Sequence, residues 1–458
     1  MKSKKILVAL GMLVLSTTAL IGCNNNGGDS NTTEAVVKKA SQMTLAELEA
    51  AAENEMANAA AGEKFKIVGL TSTLSKAAAK FEEKYTWIKD KWDCNNSYKD
   101  YALLTALNAA ETSYFADFAL IQDARSLSDY LEEGVTLNFV PKDYKELGLA
   151  EKDTYPLKGI HFNKIFYSNK HMGENDQGVK LYNVWQLSGS KEDKDHIPYL
   201  SFQSPVTEQI NMSFLLSLYS DDGVARLTSA YKKFYNKDWA ASEKYSSIAE
   251  EYVENFVKNV SVWHGSDGTA MKETQAKETD PSKATLYYGA YAKMKDAAAK
   301  YYDVSYPDGH KLSTTDEEGK KYDSKTYSVP SASAMSTVKW DYEIEGFNGF
   351  MYTMYSQIVK NAKHPYTACL YARFMLTPDC YKAMCYNSTT VNKAGEKANM
   401  YGYYYPAAVT NTADGVSDND NDWTKSKWIE KSINEDYDYL KTIKIGQVNK
   451  IIAWVSAK

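Results

Sequence analysis

From residue 64 onward, short apolar runs alternate with stretches whose apolar residues recur at helical spacing. Residues 64–68 and 118–121 predict buried strands, and residues 160–167 alternate in the manner of a strand. Residues 74–85 and 126–131 carry the spacing of amphipathic helices. This order of strands and helices predicts an α/β fold with parallel sheets.

Less regular hydrophobic patterns predict elements in the rest of the chain. They predict helices at 98–114 and 224–260, strands at 136–141 and 286–289, and a polar inserted loop at 305–330.

Two further helices are expected around residues 204–218 and 351–358. Ser204-Pro205 predicts the start of the first, because proline suits an early helical position. Residues 338–347 predict a strand that ends in Glu-Gly, and the apolar spacing from Met351 to Ile358 predicts the second helix after it.

Polar residues follow the predicted strands at the points where ligands bind in open α/β sheets. Thr71, Ser72 and Thr73 follow the first strand, and Gln122 and Asp123 follow the strand at 118–121. These residues are candidate ligand-binding groups. Capping of the next helix is the alternative use for such residues, and the sequence leaves both open.

The first residues have the layout of an export signal, in which a basic start precedes an apolar run. Lys2, Lys4 and Lys5 precede uncharged residues 6–21, a run that is short for a membrane span. Leu20-Ile21-Gly22-Cys23 looks like a bacterial lipobox. We therefore expect a signal peptide at residues 1–22 and a lipid on Cys23 that anchors the chain to a membrane.

Residues 23–63 are expected to form a flexible tether. The Asn-, Gly- and Thr-rich start offers no core residues, and the Ala- and Glu-rich part that follows has the composition of a short helix outside the fold. Removal of residues 1–22 takes away three lysines, which changes the formal net charge from −6 to −9. This balance excludes nucleic acid as a partner, because phosphate binding requires a basic surface.

The cysteines after Cys23 contain no Cys-x-x-Cys pair. Cys369 falls in an apolar helical pattern and is expected in the core. A bridge between Cys380 and Cys385 is left open, since an exported chain enters an oxidising compartment.

Residues 345–379 carry motifs that resemble the extracellular solute-binding proteins of the iron, thiamine and polyamine type. Those proteins have a Glu-Gly turn after a strand, an Ala-Lys-x-Pro-x-x-Ala helix start and a Phe-x-Leu-Ser-Pro-Glu helix end. Glu345-Gly346, Ala362 to Ala368 and Phe374 to Asp379 occupy these positions. Thr377 stands for the Ser and Asp379 for the Glu, and the proline that precedes the family's Glu-Gly turn is missing.

The resemblance implies a periplasmic-binding-protein-like type II fold, in which two α/β lobes are joined by crossing strands. The first lobe is expected at 64–141 with 338–390, and the second at 142–337 with 391–458. Such a protein is not an enzyme and needs no cofactor. It captures a small solute between the lobes and delivers it to the permease of an ABC importer, on the extracytoplasmic face of the membrane.

Further candidate ligand residues belong to the second lobe and the second crossing: Trp185, Tyr287, Tyr288, Trp340, Asp341 and Tyr342. For both tryptophans, a place in the core is the alternative. Asp341 suits an amine or a sugar hydroxyl, and a solvated strand end is its alternative.

Within this family, ferric-ion receptors bind iron through paired tyrosines, and Tyr287-Tyr288 falls in a similar place. The chain has 36 tyrosines, so adjacent pairs also occur elsewhere, as at Tyr301-Tyr302. No accompanying His or Glu ligand is identifiable, so no metal site is expected. A sugar, a polyamine-like compound or another organic solute is favoured over ferric ion.

Two rival functions remain: a lipid-anchored secreted hydrolase that acts on a glycan, and a surface adhesin. The sequence contains neither Gly-x-Ser-x-Gly nor His-Glu-x-x-His. Carboxylate pairs among the 59 acidic residues stay open as a catalytic alternative.

Overall fold

The computed structural model describes most of the chain from residue 32 to residue 457. The described residues are 32–71, 73–97, 106, 114–169, 181–189, 196, 200–270, 286–291, 338–339, 343–391, 397–399, 403–404 and 425–457. The predicted signal peptide, the lipidation site Cys23, most of the predicted helix at 98–114 and the predicted loop at 305–330 lie outside them.

The first lobe contains three parallel strands in the order β2-β1-β3: β1 (Phe65–Gly69), β2 (Trp92–Asn95) and β3 (Phe118–Ile121). Helix α3 (Leu74–Lys84) follows β1, and helix α4 (Ala124–Glu132) follows β3. The strands predicted at 64–68 and 118–121 and the helices predicted after them are confirmed, because β1 and β3 are short, largely buried runs with a polar turn after each. Strand β2 is only partly buried and was not predicted.

Two long antiparallel strands join the lobes: β5 (Lys158–Asn169) and β10 (Gly349–Val359). On one side, β3 pairs antiparallel with β10, and on the other side β5 pairs antiparallel with β8 (Leu286–Ala290). These two strands are the crossing strands of a two-lobed fold, which confirms the predicted fold class.

The second lobe continues the same sheet in the order β8-β6-β7, with β6 (Leu200–Gln203) and β7 (Val260–His264) parallel to β8. Helices α5 (Gln209–Ser217), α6 (Asp221–Tyr235) and α7 (Ile248–Asn259) accompany this half. The rings of Phe202, Phe214 and Tyr288 stack on one face of the sheet, with centroids 4.7–6.4 Å apart. This aromatic stack forms the centre of the second-lobe core.

Shorter strands complete the sheets. They are β4 (Thr136–Leu137) and β14 (Ile433–Asn434), which pair with β10, β9 (Val338–Lys339) and β13 (Tyr403–Tyr404), which pair with β5, and the separate pair β11 (Tyr386–Val391) and β12 (Lys397–Asn399).

The remaining helices cover the outside of the lobes. They are α1 (Thr33–Ala40), α2 (Leu45–Ala57), α8 (Pro365–Phe374), α9 (Pro378–Cys385), α10 (Lys425–Lys431), α11 (Tyr437–Leu440) and α12 (Ile445–Ser456). Helix α8 packs on β3 and β10, and α12 packs on α5 and α7. Cys369 on α8 is fully buried, as predicted. Among the described helices, none is long and apolar enough to cross a membrane.

The predicted helix at Met351–Ile358 is wrong, since these residues belong to the crossing strand β10. Every residue of β10 is buried, so polar and apolar positions do not alternate along it. A strand that is covered on both faces has a continuous apolar sequence. Hydrophobic periodicity alone cannot distinguish such a sequence from that of a buried helix.

The predicted flexible tether is wrong for residues 33–57, which form α1 and α2 and pack against α8. Leu48, Ala52 and Met56 are buried there. A capping box at Thr44 fixes the start of α2, and small alanines allow close approach to α8. The lobe boundaries at 141, 338 and 390 stay a prediction.

The start predicted at Ser204-Pro205 is four residues early. Residues 205–207 form a turn, in which the Thr207 N–H donates to the Ser204 carbonyl at 3.1 Å, and α5 begins at Gln209. Pro205 therefore shapes the turn between β6 and α5.

Candidate ligand-binding site between the lobes

The carboxyl ends of the strands in both lobes point at one stretch of the crossing strands. Ile121 at the end of β3 pairs with Tyr355, and Ala290 at the end of β8 pairs with Lys164. Because β3 and β8 run in opposite directions in the sheet, both point toward the segments 160–164 and 350–354. We call these two segments the central stretch. Ligands in such folds bind beyond the carboxyl ends of strands, so the central stretch is the candidate floor of the site.

The hydroxyl groups after β1 bind each other. Thr71 and Thr73 are buried, and their hydroxyl oxygens lie 3.0 Å apart. Thr73 occupies the position before α3, but its side chain makes no capping hydrogen bond. Ser72 lies outside the described residues. The loop is therefore not built around a side-chain cap from Thr73, and ligand contact there stays a prediction.

Asp123 after β3 caps the next helix. Its Oδ1 accepts hydrogen bonds from the N–H groups of Arg125 and Ser126 at 3.2 and 3.3 Å, and its Oδ2 accepts from the Ser126 hydroxyl at 2.6 Å. Gln122 is buried beside it. Of the two uses that the sequence left open for Asp123, the structure contains the cap. Contact of Gln122 or Asp123 with a ligand stays a prediction.

The edge of the second lobe contains a charged cluster that the sequence did not predict. Lys164 Nζ lies 3.5 Å from Asp267 Oδ2 and 3.7 Å from Glu208 Oε1. The lysine side chain is 2% exposed, whereas Glu208 and Asp267 are 21% and 13% exposed. The cation is therefore buried, whereas both carboxylates keep some exposure at the edge where β6, β7 and β8 end. We call Lys164, Glu208, Asp267 and Tyr287 the charged cluster.

Tyr287 reaches the charged cluster because the next residue on its face is glycine. Its hydroxyl donates to Asp267 Oδ1 at 2.6 Å. A Cβ at Gly289 would lie 1.5 Å from that hydroxyl, so the phenol lies across the position that a side chain at 289 would fill. The Ala290 N–H also donates to Asp267, at 3.3 Å.

Glu208 follows β6 and is held by the residue that ends that strand. Gln203 Nε2 donates to Glu208 Oε2 and to the Gly265 carbonyl, both at 3.2 Å. Burial raises the pKa of Glu208, and the negative charge of Asp267 adds to this, while Lys164 lowers it. The neutral and charged forms of this group are therefore brought closer in energy.

Further polar groups lie on the central stretch or are bonded to it. His161 Nδ1 lies 2.8 Å from the Thr353 hydroxyl. Asn163 is 1% exposed, and both of its amide atoms lack a hydrogen-bond partner among the described residues. Glu435 accepts from the Thr353 N–H at 3.0 Å and from the Tyr355 hydroxyl at 3.1 Å.

Two of the predicted ligand residues belong to the core. Trp185 is buried, its indole N–H donates to the Leu227 carbonyl at 2.9 Å, and its ring packs on Tyr231 and Tyr252. Tyr288 is fully buried in the aromatic stack. Both assignments to the ligand site are corrected, because each aromatic ring is enclosed by the helices of the second lobe.

The tyrosine pair does not form a paired metal site. Tyr287 and Tyr288 are adjacent on β8, so their rings point to opposite faces of the sheet. Among the described residues, no three His, Cys, Asp or Glu side chains are grouped closely enough to hold a metal ion. Trp340, Asp341 and Tyr342 lie outside the described residues.

Sequence patterns carried few signals for the charged cluster. Lys164 is a lysine within a predicted strand, and a charged residue inside a buried strand is the one local hint of a polar site. Asp267 and Glu208 follow β7 and β6, but the strand at 260–264 was not predicted. The cluster exists because the parallel strands β6, β7 and β8 end at the same edge, and the middle of β5 passes this edge at Lys164.

Comparison with solved structures identifies the fold. The periplasmic binding protein AfuA from Actinobacillus pleuropneumoniae, with fructose-6-phosphate bound, matches with a TM-score of 0.54 at 13% identity, over 87% of this chain and 100% of that one. The apo ferric ion-binding protein A of Pasteurella haemolytica matches with a TM-score of 0.54 at 10% identity, over 86% and 98%.

A third structure of the same kind is MotA from A. tumefaciens B6 in complex with glucopine, with a TM-score of 0.52 at 12% identity over 86% and 99%. No protein-family model matches the sequence, and no curated protein matches it. These likenesses show that the chain has the two-lobed fold of periplasmic binding proteins.

Proposed function

We propose that the chain is the solute-binding component of an ABC-type importer. It captures a small solute between its lobes and delivers it to a membrane permease, without covalent chemistry. The observation that carries this proposal is the convergence of strand ends from both lobes on the central stretch. A site built in this way is completed only when the two lobes approach each other.

The crossing strands β5 and β10 supply the hinge, because they are the long connections that both halves of the sheet share. A solute that contacts both lobes stabilises the closed state by its difference in affinity for the two states. A shift from about 1% to about 99% closed requires roughly 5.5 kcal/mol of such difference. Contacts with one lobe alone are the same in both states and contribute nothing to closure.

The first-lobe part of the proposed site consists of Thr71, Ser72, Thr73, Gln122 and Asp123. The second-lobe part consists of the charged cluster, and Asn163 and His161 lie on the floor. Trp340, Asp341 and Tyr342 are proposed to complete the second crossing. The sequence supports these last three residues by their position in the strand predicted at 338–347, which is the second crossing.

An organic solute is favoured over ferric ion. The related structures were solved with fructose-6-phosphate, with glucopine, and, for the Trichodesmium protein FutA, with iron and citrate. The fold therefore accepts solutes of unlike chemistry. In this chain the Tyr287 phenol lies at the charged cluster, whereas the Tyr288 phenol is buried in the aromatic stack. The two phenols therefore cannot bind one iron ion together.

We further propose that a lipid on Cys23 anchors the protein to the extracytoplasmic face of the membrane. Helix α1 begins at Thr33 and packs against α8 of the first lobe. Thr32 is nine positions after Cys23, and a chain of that length spans at most about 30 Å. The first lobe would thus stay close to the membrane, where the permease lies.

A thermal-shift screen of the purified protein tests the proposed function. Sugars, polyamines, amino acids, phosphates and ferric citrate are compared, and a specific ligand at about 100 times its Kd contributes about 2.7 kcal/mol of stability. We expect a specific rise in Tm for one class of solute. Hydrolysis of a glycoside or ester by the same preparation would instead support the hydrolase alternative, and the absence of any response would support the adhesin.

A further inference from the structure

The charged cluster has one positive charge for two carboxylates. Lys164 is the only described cation in contact with Glu208 and Asp267, and it lies within 4 Å of both. A buried charge is costly unless it is paired, because the interior solvates it poorly. With both acids ionised, the cluster is therefore one cation short of neutrality.

A cation that binds the cluster would approach Asp267 and Glu208 from their exposed side, which faces the space between the lobes. Lys164 is almost fully buried behind the acids, while both carboxylates keep some exposure. A carboxylate offers about four acceptor sites, and Asp267 already uses some of them for Tyr287 and Ala290. Acceptor capacity thus remains on the exposed side of Asp267 and Glu208.

Asn163 is an independent sign that this place receives a ligand. In the register of β5 and β8, Ile165 lies beside Gly289, so Asn163 lies two residues further toward the central stretch on the same face. The Tyr287 phenol extends over Gly289 on that face. The Asn163 side chain therefore points into the space just beyond the Tyr287–Asp267 hydrogen bond.

The amide of Asn163 is nevertheless left without a partner among the described residues. An unsatisfied buried polar group destabilises the fold, because it has lost its hydrogen bonds to water. A bound group that supplies a donor to its carbonyl oxygen would remove that cost.

We propose that the captured solute carries an organic ammonium group, which binds between Asp267 and Glu208 and donates a hydrogen bond to the Asn163 carbonyl oxygen. This inference rests on the proposed function and names its solute class. The ammonium group supplies the missing charge and up to three donors, so it satisfies the carboxylates and the amide at once.

Other solute classes fit the described residues less well. An anion such as a phosphate would face two carboxylates, and like charges in contact repel each other. The cations near the first-lobe edge already have acidic partners: Lys158 lies 2.7 Å from Asp153, and Arg125 lies 4.0 Å from Asp123. A neutral polyol would satisfy Asn163 but would leave the charge imbalance.

Calorimetric titration with matched probes tests the inference. The probes are putrescine and spermidine as ammonium compounds, glucose as a neutral polyol, and glucose-6-phosphate and citrate as anions. We expect heat of binding and a rise in Tm with an ammonium probe, and a loss of at least tenfold in its affinity in Asp267→Asn. This variant keeps an acceptor for the Tyr287 hydroxyl.

Asp238→Asn is the matched control. Asp238 belongs to the same lobe, is 82% exposed and pairs with Lys232 on the surface. The control makes the same chemical change to an acid outside the cluster, so it should leave the affinity within twofold.

Asn163→Leu separates a binding role from a structural one. Leucine has a similar volume and removes the unsatisfied amide, so we expect the ligand-free Tm to stay the same or rise. The affinity for the ammonium probe should still fall by at least fivefold. A lower ligand-free Tm with unchanged affinity would overturn the role of Asn163, because the amide would then be held by the protein or by water.

The outcomes distinguish this inference from the proposed function. Binding of glucose, citrate or the sugar phosphate, with no response to either amine, would overturn the ammonium inference and leave the receptor function intact. An affinity for amines that is the same in Asp267→Asn would also overturn it. Failure of every probe would overturn the inference as well, and the receptor function would then depend on the closure measurement given below.

Discussion

The two lobes use their buried carboxylates in different ways. In the first lobe, Asp117 accepts hydrogen bonds from the backbone N–H groups of Lys66, Lys363 and His364 at 2.7–2.9 Å. Asp123 accepts from two backbone N–H groups at the start of α4. In the second lobe, Asp267 and Glu208 interact mainly with the side chains of Lys164, Tyr287 and Gln203.

The kind of hydrogen-bond partner distinguishes carboxylates that stabilise the fold from carboxylates that can bind a ligand. Backbone N–H groups are fixed by the fold, so a carboxylate bound to them has no capacity to exchange partners. Side-chain partners can move, and the second-lobe acids keep exposure toward the site. We therefore expect the first-lobe carboxylates to control stability and the second-lobe carboxylates to control binding.

The largest effect on stability is expected for Asp117→Ala. The substitution removes the acceptor shared by three backbone N–H groups, of which that of His364 is buried, and by the Tyr114 hydroxyl. We expect a loss of about 3–5 kcal/mol in the free energy of unfolding, measured by urea titration. Asp129→Ala, at an exposed position on α4, is the control and should change stability by less than about 0.5 kcal/mol. An equal effect of the two substitutions would contradict the structural role of Asp117.

The second effect is expected at Gly289, where stability and binding are linked. A Cβ in Gly289→Ala would overlap the Tyr287 hydroxyl, so the phenol must leave Asp267. We expect about 1–3 kcal/mol of destabilisation by overpacking, together with loss of the solute-induced rise in Tm. Gly265→Ala is the control, because a Cβ there meets no atom within 4 Å. Normal solute binding by Gly289→Ala would show that Tyr287 does not organise the site.

Asp123 belongs to the proposed site and also caps α4, so it can affect both stability and solute binding. Asp123→Ala should cost about 1 kcal/mol, and Asp123→Ser should recover most of it by restoring an N-cap. Chemical denaturation measures the stability, and calorimetry measures solute affinity in the same variants. If Asp123→Ser restores stability but not affinity, Asp123 contacts the solute in addition to capping α4, as proposed above. If it restores both, Asp123 serves only as a cap and does not belong to the site.

The last effect is expected at Glu435, whose carboxyl group is bonded to the crossing strand β10, and its size depends on pH. Burial raises the pKa of Glu435 from its usual 4.5 to about 8, with a further contribution from Asp123, while the Thr353 N–H, the Tyr355 hydroxyl and Lys158 lower it. A raised pKa means that folding favours the protonated form. Its contribution to stability is therefore complete below pH 4.5 and is lost as the pH rises through 8.

Glu435→Gln resembles the neutral carboxyl group and does not titrate. We expect wild type and variant to have similar Tm values at pH 5, with the wild type falling below the variant as the pH increases to 9. Parallel curves would show that the pKa of Glu435 is not raised.

Local elements were predictable because their patterns lie within a few residues. The strands β1, β3 and β5 are short apolar or alternating runs with polar residues after them, and the positions Thr71 to Thr73 and Gln122-Asp123 follow from the strand–loop–helix order. The sequence could not decide between a cap and a ligand contact at Asp123, because serine, threonine and aspartate suit both uses.

The second-lobe site was not predictable from local pattern. Lys164 and Asp267 are separated by 103 positions in the sequence and meet only through the register of the sheet. The assignments of Trp185 and Tyr288 failed for a related reason, since an aromatic residue near a strand end suits a core and a ligand surface equally. The crossing strand β10 was missed because a strand buried on both faces has no alternation.

Small-angle X-ray scattering, with and without the solute that raises the Tm, tests the central claim most directly. We expect saturating solute to lower the radius of gyration, because a ligand held by both lobes closes the space between them. The Asp267→Asn variant should remain extended at the same concentration of solute. An unchanged radius of gyration in a fully saturated wild-type protein would contradict closure of the lobes around the solute, since the strand ends of the two lobes would then not share a ligand.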